Sequence, residues 1–148
     1  MEKLALTSGK IMGVDFGDVR TGVAVSDPSR LLASGIGCIS PGGLEKTAEA
    51  LADLAKEHRV VAIVVGLPVN MDGTEGARAA RCRKLASLLE RQTGLCVTLF
   101  DERMTTMTAS RYLNESDTRG KKRKSVIDTL SAQIILQNCL DRLKYMKG

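Results

Sequence analysis

Asp15 is one of three acids in this 148-residue sequence whose positions suit chemistry better than solvation. It interrupts an apolar run that alternates like a β-strand, so its side chain points away from the face that holds Met12 and Val14. Gly13 and Gly17 flank it. Glycines at these positions predict that a large or charged group comes close to the backbone. Asp15 is therefore the first candidate for a catalytic or metal-binding residue.

The other two acids follow a later strand and begin the last helix. Glu102 comes directly after a predicted strand, and Asp128 lies in the first turn of a predicted helix. Sites in open α/β sheets form outside the carboxyl ends of strands, so the topology can bring both acids to Asp15. Carboxylates without histidine suit hard cations such as Mg²⁺ or Mn²⁺. Two such ions about 4 Å apart would stabilise the attacking and leaving oxygens of a phosphodiester.

Each acid also has an ordinary interpretation. A carboxylate such as Asp128 is stabilised near a helix N-terminus by the dipole, and Glu102 adjoins Asp101 and Arg103 in what can be a solvated charge cluster. Asp15 is harder to explain in this way, because a carboxylate within an apolar strand is costly unless it is paired or bound to a metal.

Several polar groups are candidates for holding a phosphate backbone. Arg20 lies in the turn beside Asp15 and can contact a phosphate or a neighbouring acid. The loop 66–74 follows a buried strand and offers Asn70 and Asp72, although its Pro and Gly are equally consistent with plain turn geometry. The longest basic run, interpreted as a backbone contact or a solvated loop, is Lys121, Lys122, Arg123 and Lys124.

The composition is basic and poor in aromatic residues. The chain has 22 Lys and Arg against 17 Asp and Glu, a formal net charge of +5, which is compatible with nucleic-acid binding without establishing it. Arg78, Arg81 and Lys84 recur at helical spacing and indicate a solvated basic face. Aromatic residues make up 3%, so we do not expect base stacking to dominate recognition. A single histidine, His58, argues against zinc sites and against Ser-His or Cys-His nucleophiles.

Length and cysteine usage narrow the class further. We expect one domain, residues 1–148, because this length suffices for one core but not for two ordinary ones. The four cysteines form no CxxC pair, which is typical of reduced thiols in a cytosolic protein. Neither a signal peptide nor an apolar run of roughly 20 residues is present, so we expect a cytoplasmic protein without a membrane partner.

Hydrophobic periodicity predicts the order β-β-β-α-β-α-β-α-α. Strands are predicted around 11–16, 21–26, 32–39, 60–65 and 96–100, and helices around 44–58, 75–92, 105–113 and 126–144. The segment Asn114–Lys124 lacks periodicity and is predicted to be a mobile loop. This order indicates an α/β fold with a mixed five-stranded sheet: a three-stranded antiparallel meander plus two parallel strands, with helices on both faces.

Four blocks of the sequence resemble the YqgF/RuvX family, bacterial RNase H-like nucleases of precursor ribosomal RNA that are also described as Holliday junction resolvase-like. In the family's order and spacing, they are Val14–Gly17 with Arg20 and Gly22–Val25; Val65–Thr74; Asp101–Thr106; and Lys124–Asp128 with Ala132 and Ile134–Leu136. The resemblance runs from Ile11 to about Leu140. Ser125 departs from it, since many relatives carry a basic residue there, a difference that concerns backbone contacts.

The resemblance implies an RNase H-like nuclease domain whose acidic trio corresponds to Asp15, Glu102 and Asp128. Asp15 would bridge two Mg²⁺ or Mn²⁺ ions, and the other two acids would complete their ligand shells. Arg20 and the basic run would hold the nucleic-acid backbone. The implied substrate is the 5′ end of precursor small-subunit (16S) ribosomal RNA in ribosome biogenesis, and we expect a monomer or a weak homodimer.

Other functions stay open. A Holliday junction resolvase-like DNA nuclease would use the same acids on structured DNA and would act as a dimer. A non-catalytic RNA- or ribosome-binding module is disfavoured because all three acids are present. The turn after Asp15 also resembles the phosphate loop of actin- and hexokinase-type ATPases, but 148 residues lack the second half of those two-domain proteins.

Overall fold

Five strands form one mixed sheet in the computed structural model, which describes residues 1–104 and 120–147. The strands are β1 (Ile11–Phe16), β2 (Thr21–Ser26), β3 (Ala33–Ile39), β4 (Ala62–Leu67) and β5 (Cys96–Asp101). Their order is β3-β2-β1-β4-β5, with β1 in the centre. Pairs β1–β2 and β2–β3 are antiparallel, whereas β1–β4 and β4–β5 are parallel. The predicted antiparallel meander plus two parallel strands is confirmed.

Helices cover both faces of this sheet. They are α1 (Glu2–Ala5), α2 (Leu44–Glu57), α3 (Ala77–Thr93) and α4 (Gly120–Lys147), and a short 3₁₀ turn, Glu102–Met104, follows β5. Helices α2 and α3 pack side by side on one face, and α4 crosses β1, β2 and β3 on the other. No helix in the described residues combines the length and the apolarity needed to cross a membrane.

Local sequence explains several of the boundaries. The β1–β2 hairpin closes because the amide of Gly17 donates to the carbonyl of Arg20 over 3.0 Å. Helix α3 ends at Gly94, which has φ of +71° and donates its amide to the carbonyl of Glu90, as expected of a glycine that ends a helix. Strand β4 is buried along its whole length, as its continuous apolar run predicts.

The two faces of the sheet carry side chains of different size. Under α2 and α3 the inward residues are large, namely Met12, Val14, Phe16, Val23, Val25, Ile63, Val65 and Leu67. Under α4 the larger Ile11, Val64 and Phe100 are accompanied by many small residues: Ala24, Ala33 and Ala62 are buried, and Gly13, Gly22, Gly35 and Gly66 lie on the same face. Because these positions lack bulk, α4 lies directly on the sheet backbone. A methyl group built on Gly13 would lie 2.7 Å from Cβ of Leu136.

The group that approaches the backbone at Gly13 is therefore a helix of the same chain. This confirms the expectation that a large group comes close to the backbone there. The contact with Leu136 also fixes where the middle of α4 rests on β1.

Other sequence predictions need adjustment. Strand β5 is an edge strand and is largely half-buried, so the expectation of a buried strand is wrong for all but Phe100. Helix α4 begins at Gly120, so Lys121–Lys124 are helical and do not belong to a loop. Helical spacing predicts that Ile127, Leu130, Ile134 and Leu140 face inward from this helix. Leu140 is buried, whereas the other three are half-buried. The helix predicted for 105–113 lies outside the described residues, as does the loop prediction for 114–119.

Candidate active site

Asp15 lies near the carboxyl end of the central strand, on the face that α4 covers. Its register partner across the hairpin is Gly22 on β2. On the other side, Val14 pairs with Val65 of β4, so the residue that follows, Gly66, lies level with Asp15. Both neighbouring positions on this face are glycines, and the space above them is filled by the two other predicted acids.

Asp128 reaches Asp15 because α4 contacts the backbone of β2. A methyl group built on Gly22 would lie only 1.8 Å from the carbonyl oxygen of Asp128. The side chains of the next residue, Thr129, and of Gln133 one turn later lie over Gly35 of β3. Glycine is thus required at Gly22 for the helix to hold Asp128 at this depth.

Glu102 occupies the position above the other neighbour. It begins the 3₁₀ turn that directly follows β5. Its atom Oε1 would lie 3.3 Å from a methyl group built on Gly66, and Cδ1 of Ile135 from α4 would lie 2.6 Å from the same point. The structure therefore brings all three sequence-predicted acids, Asp15, Glu102 and Asp128, to one corner of the sheet.

Burial and mutual repulsion govern the ionisation of these acids. Burial, with the negative charges of Glu102 and Asp128, raises the pKa of Asp15 to about 7, and Arg78 partly offsets this rise. Burial raises the pKa of Glu102, which Arg78 again counteracts. Burial raises the pKa of Asp128 as well, opposed by Arg20. Near neutral pH Asp15 is therefore poised between its charged and neutral forms.

Arg20 binds a neighbouring acid, one of the two roles that the sequence allows for it. Its Nε lies 3.2 Å from Oδ2 of Asp128, and each side chain keeps about a quarter of its surface exposed (24% and 25%). The pair joins the β1–β2 hairpin to α4. A concave surface of about 260 Å³ adjoins it, lined by the hairpin and by Ile127 and Asp128. The free edge of the Arg20 guanidinium thus lies next to a space that a substrate group can enter.

Arg78 is the residue near the acids that sequence reasoning placed elsewhere. It lies in the first turn of α3 and lowers the pKa of both Asp15 and Glu102. Helical spacing alone assigned it to a solvated face. Its position just past the loop that follows the carboxyl end of β4 is the signal that points to the site.

Arg81, one turn further on, packs over the ring of Phe16 at 5.0 Å from the centroid and pairs with Asp18 over 3.0 Å. The solvated-face interpretation is therefore incomplete for Arg81 as well. These contacts fix the beginning of α3 against the hairpin that carries Arg20.

The loop after β4 is a closed turn. Asn70 accepts the amide of Gly73 and donates its own amide to Thr74, and Asp72 accepts hydrogen bonds from both the amide and the hydroxyl of Thr74. Arg103 binds Asp101 through two nitrogens and approaches the carbonyl of Asn70 at 3.5 Å. These bonds support the turn interpretation of Asn70 and Asp72, and a substrate contact by either stays a prediction.

The basic run is helical but its side chains are not described. Lys121, Lys122, Arg123 and Lys124 occupy the first turns of α4, on the N-terminal side of Asp128. The run therefore leads along the helix towards the acidic corner. A contact with the nucleic-acid backbone stays a prediction.

The donor set at this corner fits a hard divalent cation in its chemistry. Three carboxylates, one of them largely buried, raise one another's proton affinity, and a cation among them would relieve that repulsion. In residues 1–104 and 120–147, however, no three His, Cys, Asp or Glu side chains are close enough to hold a metal ion as they stand. Binding would require the carboxylates to draw together.

Comparison with known proteins gives the family. A family model described as "RuvX: Holliday junction resolvase" matches residues 9–142. A protein of Myxococcus xanthus named "Putative pre-16S rRNA nuclease" is 46% identical over 132 residues, which cover 89% of this chain and 87% of the relative. A protein of the same name from Clostridioides difficile is 46% identical over 136 residues, covering 92% and 96%.

A solved structure supports the fold. "T. thermophilus RuvC in complex with Holliday junction substrate" matches with a TM-score of 0.61 and 12% identity, over 93% of this chain and 96% of the other. At that identity the likeness shows the fold alone, which confirms the RNase H-like prediction. The family match and the names of the relatives show more: this chain is a nuclease that belongs to the RuvX family.

Proposed function

We propose that this chain cleaves precursor small-subunit ribosomal RNA near its 5′ end, in the cytoplasm, with Asp15, Glu102 and Asp128 as the catalytic carboxylates. The observation that carries this proposal is the meeting of the three acids around a buried Asp15 whose pKa is raised to about 7. The names of the relatives from Myxococcus xanthus and Clostridioides difficile support the RNA substrate.

The three carboxylates would hold Mg²⁺ or Mn²⁺, with Asp15 as the ligand in the centre of the sheet. When bound, such an ion supplies positive charge that activates water and stabilises charge developing on the phosphate. The surrounding residues of the chain prepare this corner. Arg20 orients Asp128 through their 3.2 Å ion pair, and Arg78 moderates the repulsion between Asp15 and Glu102. Glycines 22 and 66 keep the space above the strands open for the two outer acids.

The direct test compares the wild-type chain with Asp15→Asn in a cleavage assay. We expect Mg²⁺- or Mn²⁺-dependent cleavage of a precursor RNA fragment by the wild type and at least about a thousandfold slower cleavage by the variant. Asn has the size of Asp, so the fold should persist, which circular dichroism checks. Cleavage by Asp15→Asn at the wild-type rate would remove the carboxylate assignment.

A second candidate function is resolution of four-way DNA junctions, which the description of the matching family model favours. A resolvase must cut two strands in a coordinated way and therefore needs two sites in one assembly. The same assay, run with a four-way DNA junction beside structured and single-stranded RNA, separates the candidates. Paired symmetric cuts in the junction, together with a dimer in sedimentation, would favour resolution, whereas selective cleavage of the RNA by a monomer or weak homodimer supports the first proposal.

A further inference from the structure

Helices α2 and α3 lie side by side on the same face of the sheet, yet they carry opposite charge. Helix α3 has five cations and one acid, which are Arg78, Arg81, Arg83, Lys84, Arg91 and Glu90. Helix α2 has four acids and two cations, which are Glu45, Glu49, Asp53, Glu57, Lys46 and Lys56. The excess of positive charge on these two helices therefore lies on α3, and that helix begins at the acidic corner.

The cations of α3 differ in what they already bind. Arg83 is held by Glu75 at 2.7 Å and Arg81 by Asp18, so both charges are matched. Lys84 and Arg91 are exposed, and neither pairs with an acid in the described part of the chain. Their charges remain available to a partner.

Lys84 and Arg91 line one concave surface together. It encloses about 450 Å³ between the outer side of α3 and the first turn of α2, and its other lining residues include Leu44, Glu45 and Leu88. The residues Arg81, Lys84, Leu88 and Arg91 recur at intervals of three and four, so they form one stripe along the helix. The stripe is continuous with the site because Arg78 lies in the first turn of the same helix.

We propose that this stripe on α3 binds the phosphate backbone of the nucleic-acid strand that leads away from the catalytic corner, with Lys84 and Arg91 as its contacts beyond the site. The inference rests on the proposed function only in taking nucleic acid as the substrate. From Arg78 to Arg91 the helix rises about 20 Å, so the stripe is long enough to follow several nucleotides of a strand.

A merely solvated basic face is the competing explanation, and the arrangement of charges disfavours it. Arg78 and Arg81 have acids nearby in the folded chain, whereas Lys84 and Arg91 are exposed on one side of α3 and pair with no acid among the described residues. A phosphate backbone can engage both of these unmatched charges at once. The acidic α2 alongside would keep a polyanion on α3 and off its neighbour.

The test uses the double variant Lys84→Gln/Arg91→Gln and a matched control, Lys56→Gln/Arg142→Gln. Both pairs remove one lysine and one arginine that are exposed, so the net charge falls equally. Lys56 is near the end of α2 and Arg142 near the end of α4, away from the acidic corner. Each variant is also made in an Asp15→Asn background, so that fluorescent RNA stays intact while its binding is titrated against salt in Mg²⁺.

A short RNA fragment that spans the cleavage site is compared with two longer fragments. Each longer fragment adds about ten single-stranded nucleotides, one on the 5′ side and the other on the 3′ side. We expect the protein with Lys84 and Arg91 intact to bind one of the extended probes more tightly than the short one. Lys84→Gln/Arg91→Gln should lose about tenfold in affinity for that probe and about 1.4 in the slope of log affinity against log salt, because two phosphate contacts disappear. The control pair should keep both the preference and the slope.

Equal losses in the two double variants would assign the effect to net charge alone, and an unchanged slope in Lys84→Gln/Arg91→Gln would mean that neither residue contacts a phosphate. Either result would overturn the proposal. Thermal melting of every variant identifies any loss that comes from unfolding. Failure of the proposed function looks different: the wild type would bind RNA with this salt dependence but leave it uncleaved.

Discussion

The two faces of the sheet are built on opposite plans. On the face under α2 and α3 the inward side chains are large, such as Met12, Val14 and Ile63, and the helices rest on those side chains. On the face under α4 many positions are glycine or alanine, and the helix rests there on the sheet backbone itself, although Ile11, Val64 and Phe100 are large and buried on this face as well. All three acids lie at one end of this second face.

The difference teaches how a fold separates stability from positioning. Large interlocking side chains bury more apolar surface, but they hold the helix axis further from the sheet. Contacts with glycine bury less apolar surface. They fix the distance between helix and sheet, since the helix then rests on sheet backbone, which cannot rotate away as a side chain can. The chain uses the second plan where Asp128 must come close to Asp15.

Gly22→Ala should have the largest effect on the face under α4, where the acids lie. The added methyl would meet the carbonyl oxygen of Asp128 at 1.8 Å, so α4 must move outward and carry Asp128 with it. We expect a loss of about 100-fold in cleavage, as a displacement near 1 Å can cause, and a cost of about 1–3 kcal/mol in the free energy of unfolding. Cleavage kinetics at saturating RNA and urea titrations measure the two effects.

Gly76→Ala is the matched control, because nothing lies within 4 Å of its added methyl and its φ of −99° suits any residue. It should cleave RNA at the wild-type rate. Full activity in Gly22→Ala would show that close approach of α4 is not what positions Asp128.

Ile63→Ala tests the comparison on the face under α2 and α3. Ile63 is completely buried in β4 beneath α2 and α3, so truncation leaves a cavity and should cost about 2–4 kcal/mol in the free energy of unfolding. Cleavage per folded molecule should stay within about twofold of the wild type. Ile36→Ala on β3, where the side chain is 39% exposed, is the control and should cost less than about 1 kcal/mol. A large loss of activity in folded Ile63→Ala would contradict the division between the two faces.

The smallest expected effect concerns pH and Asp15. Its folded pKa of about 7 exceeds the ordinary value of 3.8, so the folded state holds a proton that the unfolded state has released. Metal-free wild type should therefore lose stability as the pH rises from about 4 to about 7, and Asp15→Asn should lack this loss. At pH 8 the metal-free variant should be more stable than the metal-free wild type, with no difference below about pH 3.

Added Mg²⁺ should reverse the order at pH 8, because a cation stabilises the ionised wild type and has no carboxylate at position 15 in the variant. Melting curves across pH, with and without Mg²⁺, check both statements. A wild type that gains stability between pH 4 and pH 7 in step with Asp15→Asn would show that Asp15 ionises without strain.

Much of this architecture follows from local pattern. Alternating and continuous apolar runs located the five strands to within about two residues, and helical spacing located α2 and α3, because each pattern reflects the period of its own element. The prediction from local pattern was wrong for Lys121–Lys124, whose charge suggests a loop but which lie in the first turns of α4. Helical propensity of lysine and arginine, together with packing further along the helix, outweighs the missing periodicity there.

By itself the sequence determined the order of the five strands with α2 and α3, the mixed sheet and the choice of the three acids as candidates, because periodicity, breaks and residue chemistry are local properties. It did not predict the short helix α1. Only the tertiary structure decided that the space beside Gly13 belongs to α4, that Arg20 pairs with Asp128, and that Arg78 faces the acids. The reason is that depth of packing and charge environment depend on residues far apart in the chain. Asp15, with its raised pKa, is the product of both levels: a strand places it, and packing by elements far away in the chain removes water from it and brings Glu102 and Asp128 near.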